Sequence, residues 1–124
     1  MLETAAGWGL DVDRGPDWVF VRVHPPGGLE DAHGLAESVW TVLEQNFIYR
    51  VVLEMDEIEL LHSSIIGQLI LLSKRVHTHG GLLRLCGVSD SNREILCLCR
   101  LQGALPYFDN RGDAVMGYRP KQPR

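Results

Sequence analysis

The sequence predicts a single α/β domain built on a mixed, mostly parallel sheet of four to five strands, with helices packed mainly on one face. Three observations carry that expectation. Short apolar runs rich in β-branched residues alternate with longer stretches of helical period. Successive elements read strand, helix, strand, and a right-handed parallel crossover satisfies that order. The chain has 124 residues, enough for one domain with one core, and a domain near this size buries roughly two thirds of the unfolded chain's surface.

Trp8 to Leu10 starts a strand, and Asp11-Val12-Asp13-Arg14-Gly15-Pro16 is expected to be the turn after it. Trp18 to Val23 is a second strand, covered on at least one face. Pro25-Pro26-Gly27-Gly28 ends it, because proline lacks the ladder donor and glycine relaxes the backbone. From about Asp31 to Gln45, Leu35, Val39, Val42 and Leu43 repeat at helical spacing. Gly34, read as part of that helix, costs it ~1 kcal/mol relative to alanine. Tyr49 to Met55 is then a buried strand.

A long helix begins near Ser63 or Ser64, with Ile65, Leu69, Leu72 and Val76 along one stripe and Ile66 and Ile70 beside it. Gln68, Ser73, Lys74 and Arg75 are its water-seeking positions. Lys74, Arg75, His77 and His79 complement the dipole at its C-terminus, and Gly80-Gly81 closes it. Leu82 to Cys86 is the next strand. Ser91-Asn92-Arg93-Glu94 matches a capping box that opens a third helix carrying Ile95, Leu96, Leu98 and Cys99. Residues 1–118 are expected to form the domain, and Arg119 to Arg124, with two prolines and no apolar residue, a disordered tail.

Composition narrows the partners. A 45% hydrophobic and 23% charged chain is neither disordered nor collagen-like. A formal charge of −4, with scattered lysines and arginines, gives no electrostatic reason to bind nucleic acid or an anionic membrane. No apolar run approaches the roughly 20 residues that span a bilayer, and no basic-then-apolar leader opens the chain, so a cytoplasmic protein is expected. Cys86, Cys97 and Cys99 are odd in number and lie in apolar runs, so they read as reduced, buried thiols. Cys97 and Cys99 would point about 200° apart on a helix, which suits neither a zinc knuckle nor a redox dithiol.

The richest segment runs from Val51 to Leu72. An apolar strand passes through an acidic turn into a serine pair that opens a helix, where unpaired N–H groups and the positive end of the dipole favour an anion. The segment resembles the core of STAS domains of the anti-sigma factor antagonist type. Val51, Val52 and Leu53 match the family strand, Glu54 its acid, and Ile58 and Leu60-Leu61 its apolar steps. His62, Ser63, Ser64 and Ile65 then stand at the family's Asp-Ser-(Ser/Thr)-Gly, with His62 in the Asp place and Ile65 in the Gly place. Gly103 to Asp109 and then Asp113-Ala114-Val115 resemble its closing pattern.

The resemblance implies a STAS-like fold and a regulatory module that binds an anti-sigma factor, which in this family is commonly also the serine kinase. It implies phosphorylation at Ser64, the second hydroxyl, with Ser63 as the alternative, and a docking edge of His62, Ser63, Ser64, Ile65 and Gln68. An unphosphorylated scaffold subunit, assembling with copies of itself as a homodimer or with related STAS proteins, and an accessory subunit of a transporter are the other roles it allows.

Simpler roles compete at each residue. The serines serve equally as a helix N-cap worth about 0.5–2 kcal/mol, and His62 as a polar residue filling a turn. Glu54, Asp56, Glu57 and Glu59 read as a solvated turn rather than a magnesium site, and His77 and His79 as dipole partners. No Gly-rich phosphate loop, nucleophile elbow or paired-carboxylate pattern occurs in its expected context, so no enzyme, cofactor or metal is expected.

Overall fold

The structure is a computed structural model and describes residues 2–3, 7–26 and 32–117. Among the described residues six strands form one sheet in the order β1-β2-β3-β4-β5-β6. They are β1 (Leu2–Glu3), β2 (Gly9–Arg14), β3 (Val19–His24), β4 (Arg50–Glu54), β5 (Leu82–Cys86) and β6 (Tyr107–Phe108). The helices are α1 (Leu35–Asn46), α2 (Ser63–Thr78), α3 (Asp90–Leu98) and α4 (Arg111–Met116). β1, β2 and β3 pair antiparallel, whereas β3 to β6 pair parallel, so the sheet is mixed and mostly parallel over its centre.

Alternation along the strands makes two cores. Val19, Val21, Val23, Val51, Leu53, Leu83 and Leu85 face α1, α2 and α3 and meet Leu35, Val39, Leu43, Ile65, Leu69, Leu72, Val76 and Leu96. Each such large side chain contributes about 1.5–3 kcal/mol when fully buried. The intervening residues Phe20, Val52 and Cys86 face the other way and pack with Trp18, Phe108 and Ala114 under the short α4. That second, smaller core explains why β3 and β4 read as apolar runs rather than alternating strands.

Several local expectations are corrected. Asp11 to Arg14 form the second half of β2 rather than a turn, because Asp11 lies opposite Arg22 and Asp13 opposite Phe20 on β3. The turn is shorter and closes where the Gly15 N–H donates to Trp18 O at 2.8 Å. Gly34 is not inside α1 but caps it with φ 82°, a left-handed geometry that glycine adopts without strain.

The cap of α3 is Ser89, whose hydroxyl accepts from the Asn92 N–H at 3.2 Å, so Ser91 lies within the helix and makes no capping box. Starting the helix at Asp90 turns Asn92 and Leu96 inward together. Ser73, expected in water, is buried and donates to Ala104 O at 2.9 Å. Cys86 is buried, but Cys97 and Cys99 are exposed at the end of α3. All three are free thiols. The expected loop positions Gly27 and Gly28, the start of the first helix at Asp31 and the tail from Arg119 lie outside the described residues.

Candidate functional site

The site is the junction between β4 and α2. Beyond Glu54 the chain turns back on itself: the Met55 N–H donates to Cys86 O at 2.8 Å and the Ile58 N–H to Met55 O at 3.1 Å. Ile58 and Leu61 are buried, while Glu59 and Leu60 stay outside. Asn92 locks this loop from below. Its side chain, 1% exposed, accepts from the Leu61 N–H at 2.9 Å and donates to Ile58 O at 3.1 Å and Glu59 O at 3.4 Å. Asparagine suits the place because one amide both gives and takes.

His62, with extended backbone at φ −87° and ψ 171°, is the N-cap of α2, and its side chain makes no capping hydrogen bond. Neither serine caps the helix; both lie in its first turn. Ser63 is exposed, whereas Ser64 is half-buried and its Oγ accepts the Ala32 N–H at 2.9 Å. One turn on, Gln68 Oε1 accepts the Ala36 N–H at 2.9 Å. Ser64 and Gln68 therefore share the seam between α2 and the start of α1. His62 and Ser63 border that seam, but Ile65, expected beside them on the docking edge, faces the core at 2% exposure. Helical period requires this, since Ile65 shares its stripe with Leu69, Leu72 and Val76.

Sequence reasoning missed the apolar part of this surface. Leu60 and Leu71 are 56% and 57% exposed, and Ser63, Gly67 and Leu71 follow one another at four-residue spacing along the outer face of α2. The signal was present, because Leu71 lies two residues from Leu69 and so points away from the buried stripe.

Glu54, Asp56 and Glu57 meet basic side chains. Glu54, buried at the end of β4, meets Arg111 at 2.6 Å and Arg22 at 3.4 Å, while Arg111 also reaches Asp13 at 2.7 Å and lies over the Phe20 ring. Arg22 approaches Asp56 at 3.6 Å. His24 stands between two carboxylates, with Nδ1 2.6 Å from Glu57 and Nε2 2.6 Å from Asp11. The bond to Glu57, with that to Asp11, raises its pKa above the usual imidazole value against the opposing effect of desolvation. At the far end of α2, His79 packs on the rings of Trp40 and Tyr49, and Arg75 lies over Trp40 and pairs with Glu37.

Strand order and the helices that cover the sheet define a small mixed-sheet α/β module, with a pair of helix-opening hydroxyls at the junction of β4 and α2. The STAS domain profile matches residues 10–114. The chain belongs to the STAS domain family. Solved structures agree in fold. The Thermotoga maritima protein TM1081 is 20% identical, covering 89% of this chain and 88% of that one, with a TM-score of 0.73. An anti-sigma factor antagonist from Mycobacterium paratuberculosis is 18% identical over 96% of this chain and 100% of that one, with a TM-score of 0.71. The Bacillus cell fate determinant SpoIIAA in its phosphorylated form is 15% identical over 90% and 100%, with a TM-score of 0.62. At these identities the likeness concerns the fold. No curated protein sequence matches significantly. Among the described residues, no helix is long and apolar enough to cross a membrane.

Proposed function

We propose that the chain is a non-enzymatic regulatory module, an anti-sigma factor antagonist, which binds an anti-sigma factor that is also a serine kinase and is opposed by phosphorylation at Ser64. The observation that carries the reading is the outer side of α2 and the loop before it: Ser63 is exposed, Ser64 sits on the α1 seam, Leu60 is exposed on the loop and Leu71 two turns further along the helix. Exposed apolar surface rimmed by polar groups is what a protein partner grips. A phosphoryl group there adds about −1.5 to −2 charges that an interface must desolvate or repel. Membership of the STAS family, and the naming of similar folds as anti-sigma factor antagonists, support the same role. Binding then releases a sigma factor, and phosphorylation ends the release.

A second reading, an unphosphorylated scaffold subunit, is favoured by one observation: the Ser64 Oγ already accepts the Ala32 N–H. One experiment separates the two. The chain is incubated with a kinase-type anti-sigma factor from its source genome and ATP, phosphate is mapped by peptide mass, and the Ser64→Ala and Ser64→Asp variants are assayed for binding. The proposal expects phosphate on Ser64, binding without phosphorylation by Ser64→Ala, and at least about tenfold weaker binding by Ser64→Asp. Phosphate elsewhere, or unweakened binding by Ser64→Asp, overturns it.

A further inference from the structure

Beside the docking face lies a second cluster that the proposed function does not use. His24 ends β3, Asp11 comes from β2, and Glu57 comes from the loop between β4 and α2. Each imidazole nitrogen is 2.6 Å from a carboxylate oxygen. An ionised carboxylate has no proton to give, so both nitrogens must donate, and only the imidazolium has two donors. A neutral ring would set a lone pair against one carboxylate at that distance. One contact must then open.

We propose that His24 is a proton-operated latch on the β4–α2 loop: the imidazolium bridges Asp11 and Glu57, and loss of its proton releases Glu57 and loosens the turn from Met55 to Ile58 that leads off β4. Glu57 is the carboxylate that leaves, because Asp11 is fixed by the β2–β3 ladder opposite Arg22 whereas Glu57 sits in a turn. Asp11 and Glu57 are the charged groups facing the ring from β2 and from the loop; on β3 itself, Arg22 faces Glu54 and Asp56 instead. The two carboxylates, Glu57 first, also hold the imidazole's pKa above its ordinary value. Asn92 holds the loop from the Ile58 carbonyl to the Leu61 N–H, so the latch acts on the turn before it, which the Ile58 N–H closes on Met55 O. Its consequence for partner binding rests on the docking reading above; the latch itself does not.

The test uses the free chain, so that a failure of the docking reading cannot be mistaken for a failure of the latch. His24 is titrated by NMR while the protection factor of the Ile58 amide, bonded to Met55 O, is followed against the Val52 amide in the middle of β4. The latch predicts protection at Ile58 falling about tenfold, the effect of losing one charge-assisted hydrogen bond, as pH rises through the His24 transition, with Val52 unchanged. It also predicts that His24→Gln removes the step and that Glu57→Gln lowers the pH at which His24 titrates. An Ile58 amide with no step in the parent chain, or an unchanged His24 titration in Glu57→Gln, overturns the proposal.

Discussion

Replacing Asn92 by alanine tests how the site is held. Its side chain is the internal brace of the β4–α2 loop, and its removal leaves the Leu61 N–H and the Ile58 carbonyl without their partner in a buried place. Each buried polar group so stranded costs about 1–3 kcal/mol. The Glu59 carbonyl bond is longer and part-buried, and water can replace it. The expected loss is therefore about 2–6 kcal/mol, a large part of the 5–15 kcal/mol that holds a typical domain. With a urea m-value of about 2 kcal/mol/M, the middle of the usual range, the unfolding midpoint should fall by about 1–3 M at unchanged slope. Hydrogen exchange should place the weakening first at Leu61. Ser91→Ala, an exposed neighbour in the same helix, should stay within about 0.5 kcal/mol. An Asn92→Ala variant that unfolds at the parent's midpoint, with Leu61 still protected, would refute the reasoning.

Gly81→Ala should fold poorly or not at all, because its Cβ would lie 1.9 Å from the Tyr49 carbonyl oxygen, which already accepts the Leu82 N–H. Gly67→Ala should instead stabilise by about 0.5–1 kcal/mol, since its Cβ meets nothing within 4 Å on an exposed helical face; thermal melts compare the two. In the native state Cys97 and Cys99 should react promptly with a thiol reagent, while Cys86, buried and with its pKa pushed up to about 12 by burial first and then by Glu54 and Asp56, should react only on unfolding. Because the folded-state pKa of His24 is raised above 6.5, its stabilisation is complete below that value and is lost as pH rises through the folded pKa. The stability deficit of His24→Gln should accordingly be larger near about pH 6 than near about pH 9, and a constant deficit would speak against it.

Legibility in the sequence followed the range of the interaction. The limits of β5 and the buried stripe of α2 were readable, because glycine punctuation and a 3.6-residue period are local signals. Asp11 and Asp13 were misread as turn residues because their place in β2 depends on partners across the sheet. The exposure of Cys97 and Cys99 followed from where α3 begins, which is set by the Ser89 cap rather than by the capping box read at Ser91.

At the site, the helix-opening serines were visible, but their surroundings were not. Asn92 reaches residues 58–61, Glu57 reaches His24, and Arg111 reaches Glu54 across 57 positions. Ile65 illustrates the remaining difficulty. A motif places it beside the serines, whereas helical period turns it into the core.

The most direct test of the account is a hydrogen–deuterium exchange footprint of the chain in complex with a kinase-type anti-sigma factor from its source genome. The account predicts slowed exchange across residues 58–68, the loop and first turns of α2, and none at α4. Protection confined to α4 or to β2, with residues 58–68 exchanging as in the free chain, would contradict it.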